Sequence, residues 1–284
     1  MRSEQEMFDL ILETARQDER IRAVLLNGSR ANPNAPRDRF QDFDIVYFVT
    51  EVEPFKYNLE WIQRFGEIMI MQMPEDMQDP PPEDMGSWVY LMQFMDGNRI
   101  DLSIAPLSRV HEISSDSLSV VLLDKDGFIP GLPPSSDRDY LPQPPTAKAF
   151  ADCCNEFWWV SVYVAKGLWR REILYAKYYL DHYVRDQLAK MLDWTIGART
   201  QFTCCPGKFG KYVQRYLETA EWDLLLQTYT DADHDHTWES LLATGTLFRR
   251  LANEVAGHFG YEYPLQDDER VSAYLEHIMH MPST

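Results

Sequence analysis

Two short segments carry residue types at a spacing that could do chemistry. Gly28 and Ser29 follow an apolar run that predicts a strand, and Asp42 and Asp44 open a second such run twelve residues later. Side chains two positions apart on a strand point to the same face, about 6.6 Å apart along the chain. Two carboxylates on one face repel each other, and acidic residues are poor strand formers. A divalent cation between them is the simplest reason to keep both.

A third acid, Asp101, lies in the second strand of a predicted β-hairpin over residues 89–104 that turns at Asp96 and Gly97. If that strand lies beside the strand of Asp44, about 4.8 Å away, the carboxylates can converge. Three carboxylates suit Mg²⁺, which completes its shell with waters and phosphate oxygens. We therefore predict Asp42, Asp44 and Asp101 as catalytic residues and metal ligands. Asp101 could instead accept the proton of an attacking hydroxyl group, and an isolated pair of strand acids could also have no function.

The residues around the first turn have properties that suit phosphate binding. Gly28 lets the backbone approach a ligand closely, and Ser29 offers a hydroxyl and an N–H group to phosphate oxygens. Arg30 could neutralise part of a triphosphate, although a solvated arginine fits the pattern equally well. Basic residues are scarce in this chain, so three lysines are further predicted nucleotide ligands, with ordinary surface positions as the alternative for each: Lys177, Lys208 and Lys211.

The composition excludes several classes of protein. Of the 284 residues, 45 are acidic and 27 are basic, which gives a formal net charge of −18. Such a surface repels nucleic-acid phosphates and anionic membranes and suits cationic small molecules. We find no apolar run long enough to span a membrane and no secretion signal, so we predict a cytoplasmic protein that binds neither membranes nor nucleic acids.

The hydrophobic periodicity changes along the chain and predicts two domains. A helix over residues 4–17 precedes short predicted strands over residues 21–26, 44–49, 67–73 and 120–123, while the proline-rich, acidic stretch over 73–88 is a predicted loop. Six prolines fall between residues 130 and 145, and helical periodicity follows them. Predicted helices cover residues 148–167, 171–194, 211–218, 222–228, 238–259 and 268–280. We therefore predict an α+β fold, with a mixed-sheet catalytic domain over residues 1–135 and an all-helical substrate-binding domain over residues 136–284.

The order of glycine–serine turn, paired strand acids and later strand acid resembles the nucleotidyltransferase superfamily with a polymerase-β-like core. Longer strings across nearly the whole chain resemble the aminoglycoside 6-adenylyltransferases that inactivate streptomycin. These strings are QDFDIVY (41–47), IMQMPEDM (70–77), GNRIDL (97–102), NEFWWV (155–160) and MLDW (191–194). One departure is Asn27, because the superfamily pattern has an apolar residue directly before the glycine.

The resemblance implies transfer of AMP from ATP to a streptomycin hydroxyl group with release of pyrophosphate, and Mg²⁺ held by Asp42 and Asp44. The antibiotic carries two guanidinium groups, which stack favourably on aromatic faces. Glu156, Trp159 and Tyr163 share one face of a predicted helix and are candidate substrate-binding residues, although aromatic stripes more often belong to a core. Two alternatives remain at this stage: a nucleotidyltransferase of the same fold that acts on a protein or another metabolite, and an inactive nucleotide-binding module.

Overall fold

The chain divides into two compact units, Met1–Asp139 and Tyr140–Thr284. The computed structural model describes residues 1–82 and 86–282, so residues 83–85 of the predicted loop over 73–88 lie outside the described residues. The first unit contains a mixed β-sheet and the second is helical, which confirms the predicted α+β class.

The first unit is built on a six-stranded sheet with the order β3-β4-β5-β2-β1-β6. The central neighbours β2 and β5 run parallel, and the other neighbouring pairs are antiparallel. The strands are β1 (Ile21–Asn27), β2 (Phe43–Val49), β3 (Ile68–Gln72), β4 (Trp88–Phe94), β5 (Arg99–Pro106) and β6 (Val120–Asp124). The helices are α1 (Glu4–Gln17), α2 (Gly28–Ala31), α3 (Leu59–Ile62) and α4 (Val110–Ile113).

Strand β2 lies at the centre of the sheet because its sequence is apolar on both faces beyond its first two residues. Phe43, Ile45 and Tyr47 belong to the larger core of the first unit, while Val46 and Phe48 belong to a smaller cluster on the other face. Such continuous burial is typical of a strand covered on both sides. Asp44 is therefore an exception within an apolar strand, and the fold keeps it half-buried.

Helix α1 has the predicted bounds and the predicted capping box. The Ser3 side chain accepts a hydrogen bond from the Glu6 N–H group, and the Glu6 carboxylate accepts one from the Ser3 N–H group. Met7 and Ile11 are fully buried, and the Tyr47 hydroxyl donates a hydrogen bond to the Ile11 carbonyl oxygen at 2.6 Å. These contacts fix α1 against β2.

The second unit contains α5 (Ala147–Trp169), α6 (Ile173–Tyr178), α7 (Arg185–Thr200), α8 (Thr219–Gln227), α9 (His234–Phe259) and α10 (Leu265–His280). The predicted helix over residues 171–194 is interrupted, because residues Tyr179–Val184 form a π-helical turn between α6 and α7. The helix predicted over 211–218 is wrong. This stretch has only a 3₁₀ turn at Val213–Arg215, and it follows two left-handed glycines, Gly207 and Gly210. Across the described residues, we find no helix with the length and apolar character that a membrane crossing requires.

Candidate active site

The three predicted strand acids lie together at one end of β2 and β5. These strands pair in parallel, and their register sets Asp44 directly opposite Asp101. Asp42 precedes β2 by one residue. The sheet therefore brings the two strand carboxylates together, as the hypothesis of a shared site requires.

The Asp44 carboxyl group has a strongly perturbed pKa. Burial, followed by the negative charges of Asp101 and Asp42, raises its pKa to about 6 from a usual value of 3.8. The positive charges of Arg99 and Arg30 oppose this rise. A desolvated carboxylate beside like charges is costly, so the site favours binding of a cation or of a proton.

Arg99 supplies part of that positive charge in this structure. Its guanidinium group donates two hydrogen bonds to the Asp101 carboxylate, at 2.7 and 2.8 Å, and its Nε atom lies 3.7 Å from an Asp42 oxygen. Arg99 and Asp101 are two positions apart on β5, so both side chains point to the same face of the sheet. The arginine thus bridges two of the three acids.

The donor set suits Mg²⁺ chemically, since it consists of carboxylate oxygens. Within residues 1–82 and 86–282, no group of three or more His, Cys, Asp or Glu side chains is already arranged to hold a metal ion. Both Asp101 oxygens accept hydrogen bonds from Arg99 in this structure. Asp42 and Asp44 would hold the ion, and Asp101 could join them only if Arg99 moved away.

Gly28 lies against the Asp44 side chain. Asn27 at the end of β1 pairs with Asp44, and the chain then turns at once into α2 with Gly28 at a φ of +68°. A Cβ atom on Gly28 would lie 2.1 Å from an Asp44 carboxylate oxygen, so any other residue here would displace the Asp44 side chain. The predicted glycine–serine turn is therefore the first turn of a short helix, and it adjoins the acids. The Ser29 carbonyl oxygen accepts a hydrogen bond from the Gln41 side chain at 3.3 Å.

Arg30, a predicted phosphate ligand, is buried and engaged in hydrogen bonds within the first unit. It is only 6% exposed, and its guanidinium group lies 3.8 Å from the Phe43 ring centre. It donates hydrogen bonds to the carbonyl oxygens of Gln41 and Asp42, at 2.6 and 3.2 Å, and to the Glu4 carboxylate at 2.8 Å. These bonds hold the backbone that leads into β2, and phosphate binding by Arg30 stays a prediction.

The three predicted lysine ligands belong to the second unit, whereas the three acids belong to the first. Lys177 is already engaged, since its ammonium group donates to the Thr230 carbonyl oxygen at 3.1 Å and pairs with Asp181 at 3.0 Å. Lys208 and Lys211 are exposed on the irregular segment that precedes α8. Their role in nucleotide binding stays a prediction.

The predicted substrate-binding residues lie together on α5. Trp158 is a core residue at 2% exposure, whereas its neighbour Trp159 is 61% exposed. The Trp159 indole N–H group donates a hydrogen bond to the Tyr163 hydroxyl at 2.8 Å. Glu156 lies one turn earlier and is half-buried. The structure thus places an acid and two aromatic rings on one accessible helix face.

Sequence reasoning missed the aromatic residues that extend this face. The Tyr163 ring packs edge-on against Tyr179 with centroids 5.3 Å apart, and Tyr179 stacks on Tyr183 at 5.1 Å. Tyr175 and Tyr178 pack against the same group. The sequence shows these residues as a tyrosine-rich run. Which of the tyrosines share one face depends on the π-helical turn at Tyr179–Val184, which the sequence did not predict. Such turns are frequent at functional sites. We call these five tyrosines and Trp159 the aromatic face.

Comparison with known proteins gives consistent matches over nearly the whole chain. A family profile described as "Streptomycin adenylyltransferase" matches residues 1–278. The chain is 46% identical over 281 residues to an aminoglycoside 6-adenylyltransferase of Bacillus subtilis, covering 98% of each protein. It is 44% identical over 276 residues to the protein of that name from Campylobacter jejuni, covering 97% of this chain and 95% of the relative. A crystal structure of an aminoglycoside 6-adenyltransferase from Bacillus subtilis covers 99% of this chain and 100% of its own at 42% identity, with a TM-score of 0.49.

Proposed function

The chain belongs to the streptomycin adenylyltransferase family, and from this premise we propose that it transfers AMP from ATP to a hydroxyl group of streptomycin and releases pyrophosphate. Membership of this family makes the protein a nucleotidyltransferase enzyme, and its relatives are named as enzymes that adenylylate aminoglycosides. Streptomycin, ATP and Mg²⁺ are the finer parts of the proposal.

The observation that carries the proposal is the carboxylate pair of Asp44 and Asp101 on parallel strands, with Gly28 against Asp44. In the proposed reaction, a substrate hydroxyl oxygen forms a bond to the α-phosphorus of ATP. The bond from that phosphorus to the oxygen bridging to the β-phosphate breaks, and pyrophosphate leaves. The hydroxyl proton needs an acceptor, and Asp101 is the candidate if it is not a metal ligand.

Mg²⁺ bound by Asp42 and Asp44 would neutralise charge on the reacting phosphate groups. This chain's own residues prepare the site for that ion. Arg30 fixes the backbone of Asp42, and Gly28 leaves room for the Asp44 carboxylate. Arg99 holds Asp101 and lies near Asp42, which limits the repulsion among the acids before any ligand binds.

The aromatic face is the proposed contact surface for the cationic antibiotic. Trp159 is exposed and Tyr163 partly so, and Glu156 adds a negative charge on the same helix. Guanidinium groups gain about 0.5–2 kcal/mol on an aromatic face, and a nearby carboxylate strengthens the attraction. This pairing of charge and ring fits streptomycin better than an uncharged sugar.

The direct test is a product assay on the full-length protein. We expect pyrophosphate release and an adenylylated antibiotic when the protein, ATP, Mg²⁺ and streptomycin are combined, and no product when EDTA is added. Asp44→Asn should abolish turnover, while Asp152→Asn, a change of an exposed acid on α5, should leave it unchanged.

Different failures of this assay have different meanings. Turnover with a protein or another metabolite, and none with aminoglycosides, would show that the proposed acceptor is wrong and that the proposed AMP transfer is right. If the protein binds nucleotide but releases no pyrophosphate from ATP with any acceptor tested, the enzymatic proposal is contradicted. Full activity in Asp42→Asn and Asp44→Asn would refute the metal-binding role of these residues.

A further inference from the structure

A cavity of about 470 Å³ lies entirely within the second unit. It is formed by α7, α8, the irregular segment between them, Asp181 of the π-helical turn and Tyr229 after α8. Its volume is within the range of about 300–1,000 Å³ that small-molecule sites occupy. None of the residues discussed above as catalytic or substrate-binding lines it. Its chemically distinctive lining residues are Asp181, Asp186, Asp193, Phe209, Trp222 and Tyr229.

The charges in this lining are predominantly negative. Three carboxylates face one cation, Arg185, whose guanidinium group is already engaged. It donates to the Thr228 carbonyl oxygen at 2.8 Å and to the Thr228 hydroxyl at 3.1 Å, and it lies 3.8 Å from the Tyr229 ring centre. Asp181 also has a partner, since it pairs with Lys177 at 3.0 Å.

Asp193 is the half-buried one of two lining acids that form no hydrogen bond and no ion pair among the described residues. The other is Asp186, which is exposed to solvent. The burial of Asp193 raises the pKa of its carboxyl group to about 6. A partly desolvated carboxylate without a partner destabilises the empty cavity, and a bound cation would offset that cost.

Other lining residues of the cavity are apolar or aromatic. Leu192 and Leu225 form part of the lining, together with the indole ring of Trp222. Phe209 also lines the cavity and is 96% exposed, so a ligand could cover its ring. Planar guanidinium groups bind carboxylates through two hydrogen bonds and stack on aromatic rings, which an ammonium group cannot do equally well.

We propose that this cavity binds a guanidinium group carried on a ring, and that Asp193 is the carboxylate that receives it. The identity of the natural ligand rests on the proposed function, because streptomycin carries two guanidinium groups. Binding itself requires neither ATP nor catalysis, and the cavity belongs to a single unit.

The test uses the full chain labelled with 5-fluorotryptophan and observed by ¹⁹F NMR without nucleotide or metal. The Trp222 resonance is assigned with the Trp222→Phe variant. We expect benzamidinium chloride, a small aromatic amidinium probe, to shift this resonance in a saturable manner, and streptomycin to compete with the probe. Asp193→Asn should weaken probe binding by about tenfold or more. Asp223→Asn, which alters an exposed acid on α8 outside the lining, should have no effect.

Two results would overturn the inference. One is a Trp222 resonance in the wild-type protein that shifts with neither benzamidinium nor streptomycin. This measurement does not depend on the folding of any carboxylate variant. The other is equal probe affinity in the wild type and in a folded Asp193→Asn variant. The pyrophosphate assay separates this inference from the proposed function: saturable binding without turnover contradicts only the proposed function, and turnover without binding in this cavity contradicts only the inference.

Discussion

At the scale of single residues, Asp44 shows a conflict between stability and the proposed chemistry. Its carboxylate lies in an otherwise apolar strand, opposite Asp101 and against Gly28. Natural sites often retain such unfavourable groups because the reaction needs them. Removing the charge should therefore improve folding and harm function.

We predict that Asp44→Asn raises the melting temperature at pH 7.5 in EDTA and lowers kcat by about 100-fold or more. The pKa of Asp44 is about 6 in the folded chain and near 3.8 when unfolded, so the folded state binds the proton more tightly. The free energy of unfolding of the wild type therefore falls as pH rises from about 4 to 6, by up to about 3 kcal/mol. Thermal melts across pH 4–8 check this. An advantage of the variant that does not shrink towards pH 4 would contradict it.

Gly28 combines a left-handed backbone conformation with close contact to the Asp44 side chain. We predict that Gly28→Ala lowers the free energy of unfolding by about 1–3 kcal/mol more than Gly127→Ala does. Both glycines have a φ of +68°, so both variants share the cost of a left-handed alanine. Only the Cβ at position 28 would meet Asp44, at 2.1 Å, whereas nothing lies within 4 Å of that at 127.

Urea unfolding of the two variants gives this comparison directly. The pyrophosphate assay adds a second readout, because displacement of the Asp44 carboxylate should also lower kcat in Gly28→Ala alone. Equal stability losses in both variants would show that the Asp44 side chain moves aside without cost.

At the scale of elements, α1, α2 and β2 are joined through one buried guanidinium group. Arg30 on α2 contacts Glu4 on α1 and the two carbonyl oxygens that precede β2. This arrangement holds the start of β2, and with it Asp42 and Asp44, in a fixed position relative to the sheet.

We predict that Arg30→Lys destabilises the chain by roughly 2–4 kcal/mol, because lysine cannot satisfy all three acceptors. If Arg30 positions the acids, kcat should fall while KM for ATP changes little. Arg39→Gln, which alters an exposed arginine in the same connection, is the matched control. A large rise in KM for ATP with unchanged stability would instead indicate a phosphate ligand.

The aromatic face on α5 and the neighbouring π-helical turn is the second element with a testable role. We predict that Trp159→Ala raises KM for streptomycin roughly 2- to 30-fold, the equivalent of the lost stacking on a guanidinium group. Trp159 is 61% exposed, so the melting temperature should hardly change. Tyr274→Ala removes an exposed ring from α10 and serves as the control. An unchanged KM in Trp159→Ala would remove this residue from the substrate site.

At the scale of the whole molecule, the net charge of −18 would act in opposite directions on the two proposed substrates, an anionic nucleotide and a cationic antibiotic. We predict that KM for the cationic antibiotic rises between 0.05 and 0.5 M KCl, because salt screens the attraction, with a Debye length of about 10 Å at 0.1 M. KM for ATP should fall or stay constant over the same range at fixed Mg²⁺. Steady-state kinetics with each substrate varied in turn check this, and a parallel rise in both KM values would contradict it.

Local sequence patterns are sufficient to predict the α+β class, the capping box of α1 and the places of most strands, because these depend on periodicity and on hydrogen bonds between near neighbours. The patterns also indicated Asp42, Asp44 and Asp101, since acids inside apolar strands are conspicuous. Four features emerge only from the folded chain: the parallel pairing of β2 and β5 with Asp44 opposite Asp101, the burial of Arg30, the bridge from Arg99 to two acids, and the lack of a partner for Asp193 within the part of the chain that the structure describes. Those features depend on contacts between residues far apart in the chain, or on how completely the surrounding elements remove a side chain from water, and no local pattern encodes either.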